Sequence, residues 1–168
     1  MTAKALAYMK WGFVLLFVNI NIGRIDLLPG FLGLFLLLQG LRSQEMTETE
    51  RRICPLLWVL IVDYFLHWIF VFDYVPENLI IEVISTYTIY ILLGEIGRRV
   101  ADTRPEQAKS LHYIRIALTT LTVLGYLVGA YEHETSIVLI SGGTVIVLIT
   151  LLVVLFKIKP VDAQEEEC

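Results

Sequence analysis

The chain has 168 residues, of which 57% are hydrophobic, and its mean hydropathy is +0.71. That apolar share exceeds the share of a typical soluble domain and falls in long runs, which predicts a membrane protein. The net charge of −4 argues against a nucleic-acid partner. Cys54 and Cys168 have no metal-ligand spacing, and no nucleophile motif, P-loop or dinucleotide fingerprint occurs, so we predict no metal, cofactor or catalytic residue.

The first two apolar runs are short for a bilayer crossing. Residues 11–22, extended back to residue 5, form the first run, and residues 27–41 form the second, which would be ~22 Å long as a helix. Either both cross a thinned bilayer, or they form a re-entrant hairpin with residues 23–30 at its tip. We favour two crossings, and both alternatives return the chain to the same side.

Four longer apolar runs follow, and each is long enough to span the hydrocarbon as a helix. Thr47 with Glu50, and Thr103 with Glu106, have the spacing of a capping box, which predicts where the third and fifth helices begin. The expected fold is an all-α transmembrane bundle of six segments, with one domain over residues 1–157 and an acidic cytosolic tail over 158–168. The four predicted longer spans are residues 53–72, 79–97, 111–131 and 137–156.

The distribution of basic residues predicts the orientation of the bundle. Of the 13 Lys and Arg residues, eleven lie in segments on the side of the N-terminus, Arg24 alone lies in a turn on the other side, and Arg115 lies within a span. Loops rich in Lys and Arg face the cytosol, so this bias predicts a multi-pass cell-membrane protein with both termini cytoplasmic. The turns on the opposite side are acidic instead.

Residues 19–41, with Gly23, Asp26, Pro29 and Gly33 in place, resemble a segment near the N-terminus of small integral membrane proteins of Gram-positive Firmicutes. The resemblance covers about the first quarter of the chain, and many of those proteins have an acid where Gly30 stands here. It implies a bacterial cell-membrane protein but supplies no activity, since that family has no settled function. Gly33 is expected to let a neighbouring helix approach closely.

Polar residues at membrane depth are the candidate site, because an acid at the centre of a bilayer costs ~2.5–3.5 kcal/mol on insertion scales. Asp63 and His67 lie one turn apart on the third span, and Glu82 lies in the fourth. For the Asp63–His67 pair a purely structural contact is favoured slightly over a ligand or ion site, and catalysis comes third. Metal ligation by these three residues is chemically possible, but their spacing is a weak signal.

The fifth span carries a continuous stripe of polar or small groups, which should face protein or water because lipid cannot satisfy it. Arg115 needs an anion there, and Glu95 is the nearest candidate for a structural ion pair. Ser141–Thr144 is expected to be a close helix contact rather than an unwound ion site. The stripe consists of His112, Arg115, Thr119, Thr122, Tyr126 and Gly129.

Three functional hypotheses follow from these residues. The leading one is a membrane protein that binds a small solute or ion, either a transporter or a transporter subunit, with Asp63, His67, Glu82 and the fifth-span stripe converging on one site. The second is a non-enzymatic regulatory subunit that contacts another membrane protein through cytosolic loops 42–52 and 98–109. An intramembrane enzyme is the third and the least favoured.

Overall fold

A computed structural model of the chain describes residues 1–17, 21–22, 25–26, 30–70, 79–129 and 134–159. Across this part of the chain the fold is all-α with six helices, as predicted, and one pair of two-residue strands. The predicted turn at 73–78, residues 132–133 of the predicted turn at 132–135, and residues 160–168 of the predicted tail lie outside the described residues, whereas Glu134 and Thr135 belong to a helix. The elements are α1 (Ala3–Phe17), β1 (Asn21–Ile22), β2 (Ile25–Asp26), α2 (Gly30–Arg42), α3 (Glu48–Phe70), α4 (Leu79–Val100), α5 (Pro105–Gly129) and α6 (Glu134–Lys157).

The described residues form two compact units. The first holds the residues up to Ile91 together with Lys159, and the second holds Leu92–Ile158. The first unit therefore contains α1, α2, α3 and the beginning of α4, whereas the second contains the end of α4 with α5 and α6. The prediction of one transmembrane domain over residues 1–157 stays a prediction.

In the part of the chain that the structure describes, four helices are long and apolar enough to cross a membrane, which agrees with a multi-pass membrane protein. Helices α1 and α2 are shorter, with 15 and 13 residues, so each is only about 20 Å long. Six crossings and the cytosolic position of both termini therefore stay predictions. The four candidate spans are Glu48–Ile69, Leu79–Val100, Pro105–Val128 and Val138–Lys157.

The chain reverses direction between α1 and α2 through the antiparallel pair β1–β2, in which Asn21 faces Asp26 and Ile22 faces Ile25. The prediction that the first helix continues to Ile22 is wrong. The helix ends at Phe17, because Asn21 and Ile22 hydrogen-bond across the hairpin instead of along a helix. This reversal is compatible both with a re-entrant hairpin and with two short crossings.

Helices α1 and α2 pack at very close range through glycine. A Cβ added to Gly33 would come within 2.6 Å of the backbone nitrogen of Leu16, and one added to Gly12 would come within 2.9 Å of the carbonyl oxygen of Gly33. Further along α2, a Cβ added to Gly40 would come within 2.9 Å of Met9 Cγ and within 3.2 Å of the carbonyl oxygen of Ala5. The expectation that Gly33 admits a neighbouring helix is confirmed, and α1 and α2 form one tight helical hairpin.

The predicted start of α3 is confirmed by its capping box. The backbone N–H of Thr47 donates to Glu50 Oε2 over 2.8 Å, and the N–H of Glu50 donates to Thr47 Oγ1 over 3.2 Å. The matching prediction for α5 is wrong. Thr103 donates its hydroxyl to the carbonyl oxygen of Val100, and α5 begins at Pro105, since proline suits the first position of a helix.

Buried side chains concentrate at one end of each unit, while long apolar side chains are exposed towards the other. In the first unit the aliphatic core lies in α1, α2 and the first half of α3, and Val62, Leu66 and Ile69 are exposed further along α3. In the second unit the core joins the end of α4 to Leu111 and Leu155, whereas Val123 and Leu127 of α5 are exposed. Exposed aliphatic groups of this kind suit contact with lipid.

Candidate functional site

Tyr64 lies where three helices of the first unit meet. Its ring lies against Gly30 at the start of α2, where an added Cβ would come within 2.9 Å of Tyr64 Cδ1. Its hydroxyl is hydrogen-bonded to the hydroxyl of Ser85 on α4. The absence of a side chain on Gly30 therefore makes room for the ring, and the buried end of a large aromatic residue finds the polar partner that it requires.

Two carboxyl groups accompany this hydrogen bond. Asp63 precedes Tyr64 on α3, Glu82 lies one turn before Ser85 on α4, and both carboxyl groups act electrostatically on the Tyr64 hydroxyl. The Asp63 side chain is only 25% exposed. We call Asp63, Tyr64, Glu82 and Ser85 the Tyr64 cluster. Asp63 and Glu82, two of the predicted site residues, thus both act on the Tyr64 hydroxyl, and that they bind one ligand together stays a prediction.

His67 extends the cluster along α3. Its Nδ1 lies 3.4 Å from Asp63 Oδ2 and 2.9 Å from the backbone oxygen of Asp63. Both of these oxygens are acceptors when Asp63 is ionised, so Nδ1 carries a hydrogen and donates. The predicted Asp63–His67 pair therefore exists, and the imidazole ring is oriented by its own helix.

Aromatic rings of α2 and α3 pack against one another near Tyr64. The ring of Phe31 on α2 meets Phe65 at 5.2 Å and Trp68 at 5.7 Å between centroids, in both cases edge to face. On α3, Phe65 and Trp68 lie to one side of Tyr64, whereas Asp63 and His67 lie to the other side.

Thr88 adds a buried hydroxyl one turn further along α4 from Ser85. The residue is 1% exposed, and among the described residues its Oγ1 has no hydrogen-bond partner. Buried hydroxyls in native proteins are nearly always hydrogen-bonded, so this one marks a place where a further polar group would be stabilised.

The geometry does not support a metal centre of Asp63, His67 and Glu82. Among the described residues, no three His, Cys, Asp or Glu side chains come close enough together to hold a metal ion. Asp63 and His67 lie one turn apart on α3, while Glu82 approaches them from α4 on the side of Tyr64.

The predicted residues of the fifth span lie in the second unit. Arg115 donates from Nη2 to His112 Nδ1 over 2.9 Å, and its guanidinium also lies against Gly94 of α4. Because arginine only donates, His112 must accept at Nδ1, so Nε2 carries the hydrogen of a neutral ring. That Arg115 and His112 share one site with Asp63 and Glu82 stays a prediction.

Glu95 is buried, with a side-chain exposure of 8%, and it accepts a hydrogen bond of 2.6 Å from Arg98 Nη2 on the same helix. The contact of Arg115 with Gly94 places the guanidinium beside α4 at the level of Glu95. The structural ion pair between Glu95 and Arg115 stays a prediction, and Arg98 is the partner that sequence reasoning missed.

The hydroxyl of Thr119, a predicted ligand residue on α5, and the hydroxyl of Thr144 on α6 both have local partners. Thr119 donates to the carbonyl oxygen of Arg115 over 2.9 Å, and Thr144 donates to that of Ile140 over 2.9 Å. Helix α6 runs without interruption through Ser141–Thr144, and Gly143 makes ordinary contact with Leu121. The helix is not unwound there, and the predicted close helix contact at Ser141–Thr144 stays a prediction, because an added Cβ at Gly142 meets nothing within 4 Å.

Tyr64 is the central residue that the sequence analysis missed. Tyr64 directly follows Asp63 inside an apolar run. The signal that could have revealed it is chemical: a tyrosine in the middle of a span needs a partner for its hydroxyl, and Ser85 of the next span can supply one.

Comparison of the chain with known protein families, with curated proteins and with solved structures finds no match.

Proposed function

We propose that the protein binds a small organic cation within the membrane, at the Tyr64 cluster, as a transporter or as the binding subunit of one. The observation that carries the proposal is the Tyr64–Ser85 hydrogen bond flanked by two carboxyl groups inside two candidate spans. Ionisable residues at membrane depth often mark solute or ion pathways, because placing them in the membrane costs free energy.

The charges of the cluster favour a cation over an anion or a neutral solute. Asp63 and Glu82 supply up to two negative charges, and His67 is the one basic side chain bonded to them among the described contacts. A quaternary ammonium ion is a suitable probe of such a site, because it is an organic cation of fixed charge.

The test is equilibrium binding of tetraethylammonium to the purified full chain in detergent. A unit charge ~6 Å from a carboxylate, at an effective dielectric constant of ~20, is stabilised by about 3 kcal/mol. We therefore expect Asp63→Asn and Glu82→Gln each to weaken binding at least tenfold, and Tyr64→Phe to weaken it less, because it removes only the hydroxyl.

Glu48→Gln is the matched control. Glu48 is an exposed acid on the same helix, paired with Arg52 outside the cluster, so its neutralisation changes the net charge equally without touching the site. Equal loss in Glu48→Gln and Asp63→Asn would show that binding follows overall charge and would refute the proposal. Sodium benzoate, an organic anion, is expected not to bind.

One observation favours the second candidate function, an interaction subunit of another membrane complex. Ser141 and Gly142 lie on an exposed face of α6, and an atom added at Gly142 meets nothing within 4 Å. Small residues are enriched where membrane helices meet, so this face could receive a partner helix. Affinity purification from native membranes would then yield a stoichiometric partner that Gly142→Leu removes, whereas the transporter proposal predicts no such effect.

A further inference from the structure

An open cavity of about 440 Å³ lies on the second unit, where α4 ends and α5 begins. Its volume falls within the range of small-molecule sites. We call it the α5 groove. It is lined by Ala101, Pro105, Ala108, Lys109, His112 and Tyr113.

The groove has an apolar floor and a separate set of polar side chains. Alanine and proline form an apolar floor, and Tyr113, which is 70% exposed, adds an aromatic ring. Lys109 and His112 are exposed and supply the polar groups. Because Arg115 donates to His112 Nδ1, the other ring nitrogen carries a hydrogen and can donate to an acceptor.

The groove lies at the level of a membrane–water boundary. Helix α5 is a candidate span from Pro105 onwards, and its first turns hold charged and polar residues ahead of the apolar part. Arg98 and Arg99 end α4, and Arg104 precedes α5 while donating from Nη1 to the carbonyl oxygen of Lys157. Lys109 of the groove is thus accompanied by three further basic residues at the ends of two candidate spans, the positions at which lipid headgroups would lie.

We infer that the α5 groove binds an anionic phospholipid, with the phosphodiester at Lys109 and His112 and the upper acyl segment on the alanine and proline floor. A basic pocket at the end of membrane helices is the arrangement that recognises acidic headgroups, and each cation near such a membrane contributes ~1 kcal/mol. A soluble phosphate would have no use for the apolar floor. This inference is independent of the proposed cation site.

The experiment measures retention of phosphatidylglycerol and of phosphatidylcholine by the full chain, using native mass spectrometry of detergent-solubilised protein. We expect the wild type to bind phosphatidylglycerol about fivefold more tightly than phosphatidylcholine, which corresponds to one cation's contribution. Lys109→Gln should abolish this preference. Ala101→Leu, which narrows the groove at an exposed position, should weaken both lipids.

Lys157→Gln is the control, because Lys157 is an exposed lysine of the same unit outside the groove. It should keep the preference for phosphatidylglycerol. Equal losses in Lys109→Gln and Lys157→Gln, or equal affinity of the wild type for the two lipids, would overturn the inference. Displacement of phosphatidylglycerol by inorganic phosphate at millimolar concentration would also overturn it, since the occupant would then be a soluble anion.

Discussion

Replacing Gly33 with alanine tests the packing of the α1–α2 hairpin. The added Cβ would lie 2.6 Å from the backbone nitrogen of Leu16 and 2.7 Å from the carbonyl oxygen of Gly12. Ordinary contact begins near 3.4 Å, so α1 must retreat by about 0.8 Å, the difference between 3.4 and 2.6 Å. The obstacles are backbone atoms that cannot rotate away, and overpacking of this kind costs about 1–3 kcal/mol.

Gly142→Ala separates this steric cost from the general effect of alanine. Alanine is favoured over glycine in a helix by up to ~1 kcal/mol, and this gain applies to both variants. At Gly142 the new methyl group meets nothing within 4 Å. We therefore expect the free energy of unfolding, measured by denaturant titration in mixed micelles, to be about 1–3 kcal/mol lower in Gly33→Ala than in Gly142→Ala. Equal values in the two variants would refute the close approach of α1 and α2.

Two further predictions concern the ends of the helices and use the same measurement. Thr47→Ala should lower the free energy of unfolding by about 1 kcal/mol, because Thr47 caps α3, whereas Thr103→Ala should change it by less, since Thr103 caps no helix start. Arg104→Gln should cost about 1 kcal/mol through loss of its hydrogen bond to the carbonyl oxygen of Lys157, with Lys109→Gln as the control. A larger loss of stability in Thr103→Ala than in Thr47→Ala would contradict the cap assigned to Thr47. A larger loss in Lys109→Gln than in Arg104→Gln would contradict the stabilising role of the Arg104 hydrogen bond.

The helices were predictable because length and hydropathy alone distinguish a membrane span. The beginning of α3 was also predictable, since a capping box depends on residues three positions apart. The end of α1 was not predictable from hydropathy. The pairing of Asn21 with Asp26 competes with helix formation, and a hydropathy pattern does not depend on such a pairing. The capping-box rule failed at Thr103, because Pro105 sets the start of α5.

The candidate site was predictable only in part, for a related reason. The cost of burying charge singled out Asp63 and Glu82, and helical spacing paired Asp63 with His67. The role of Tyr64 depends on its approach to Gly30 and Ser85 from two other helices, and spacing within one helix carries no such information. Arg98 lies three residues after Glu95, so helical spacing alone is enough to predict that these two side chains pair.

Calorimetric titration of tetraethylammonium into the full chain and into the double variant Asp63→Asn with Glu82→Gln tests the central claim most directly. The wild type should show saturable binding at one site, and the double variant should show none, while both keep the same thermal unfolding temperature in the absence of the cation. Binding of equal affinity in the two proteins, or no binding to the wild type, would contradict a cation site at the Tyr64 cluster.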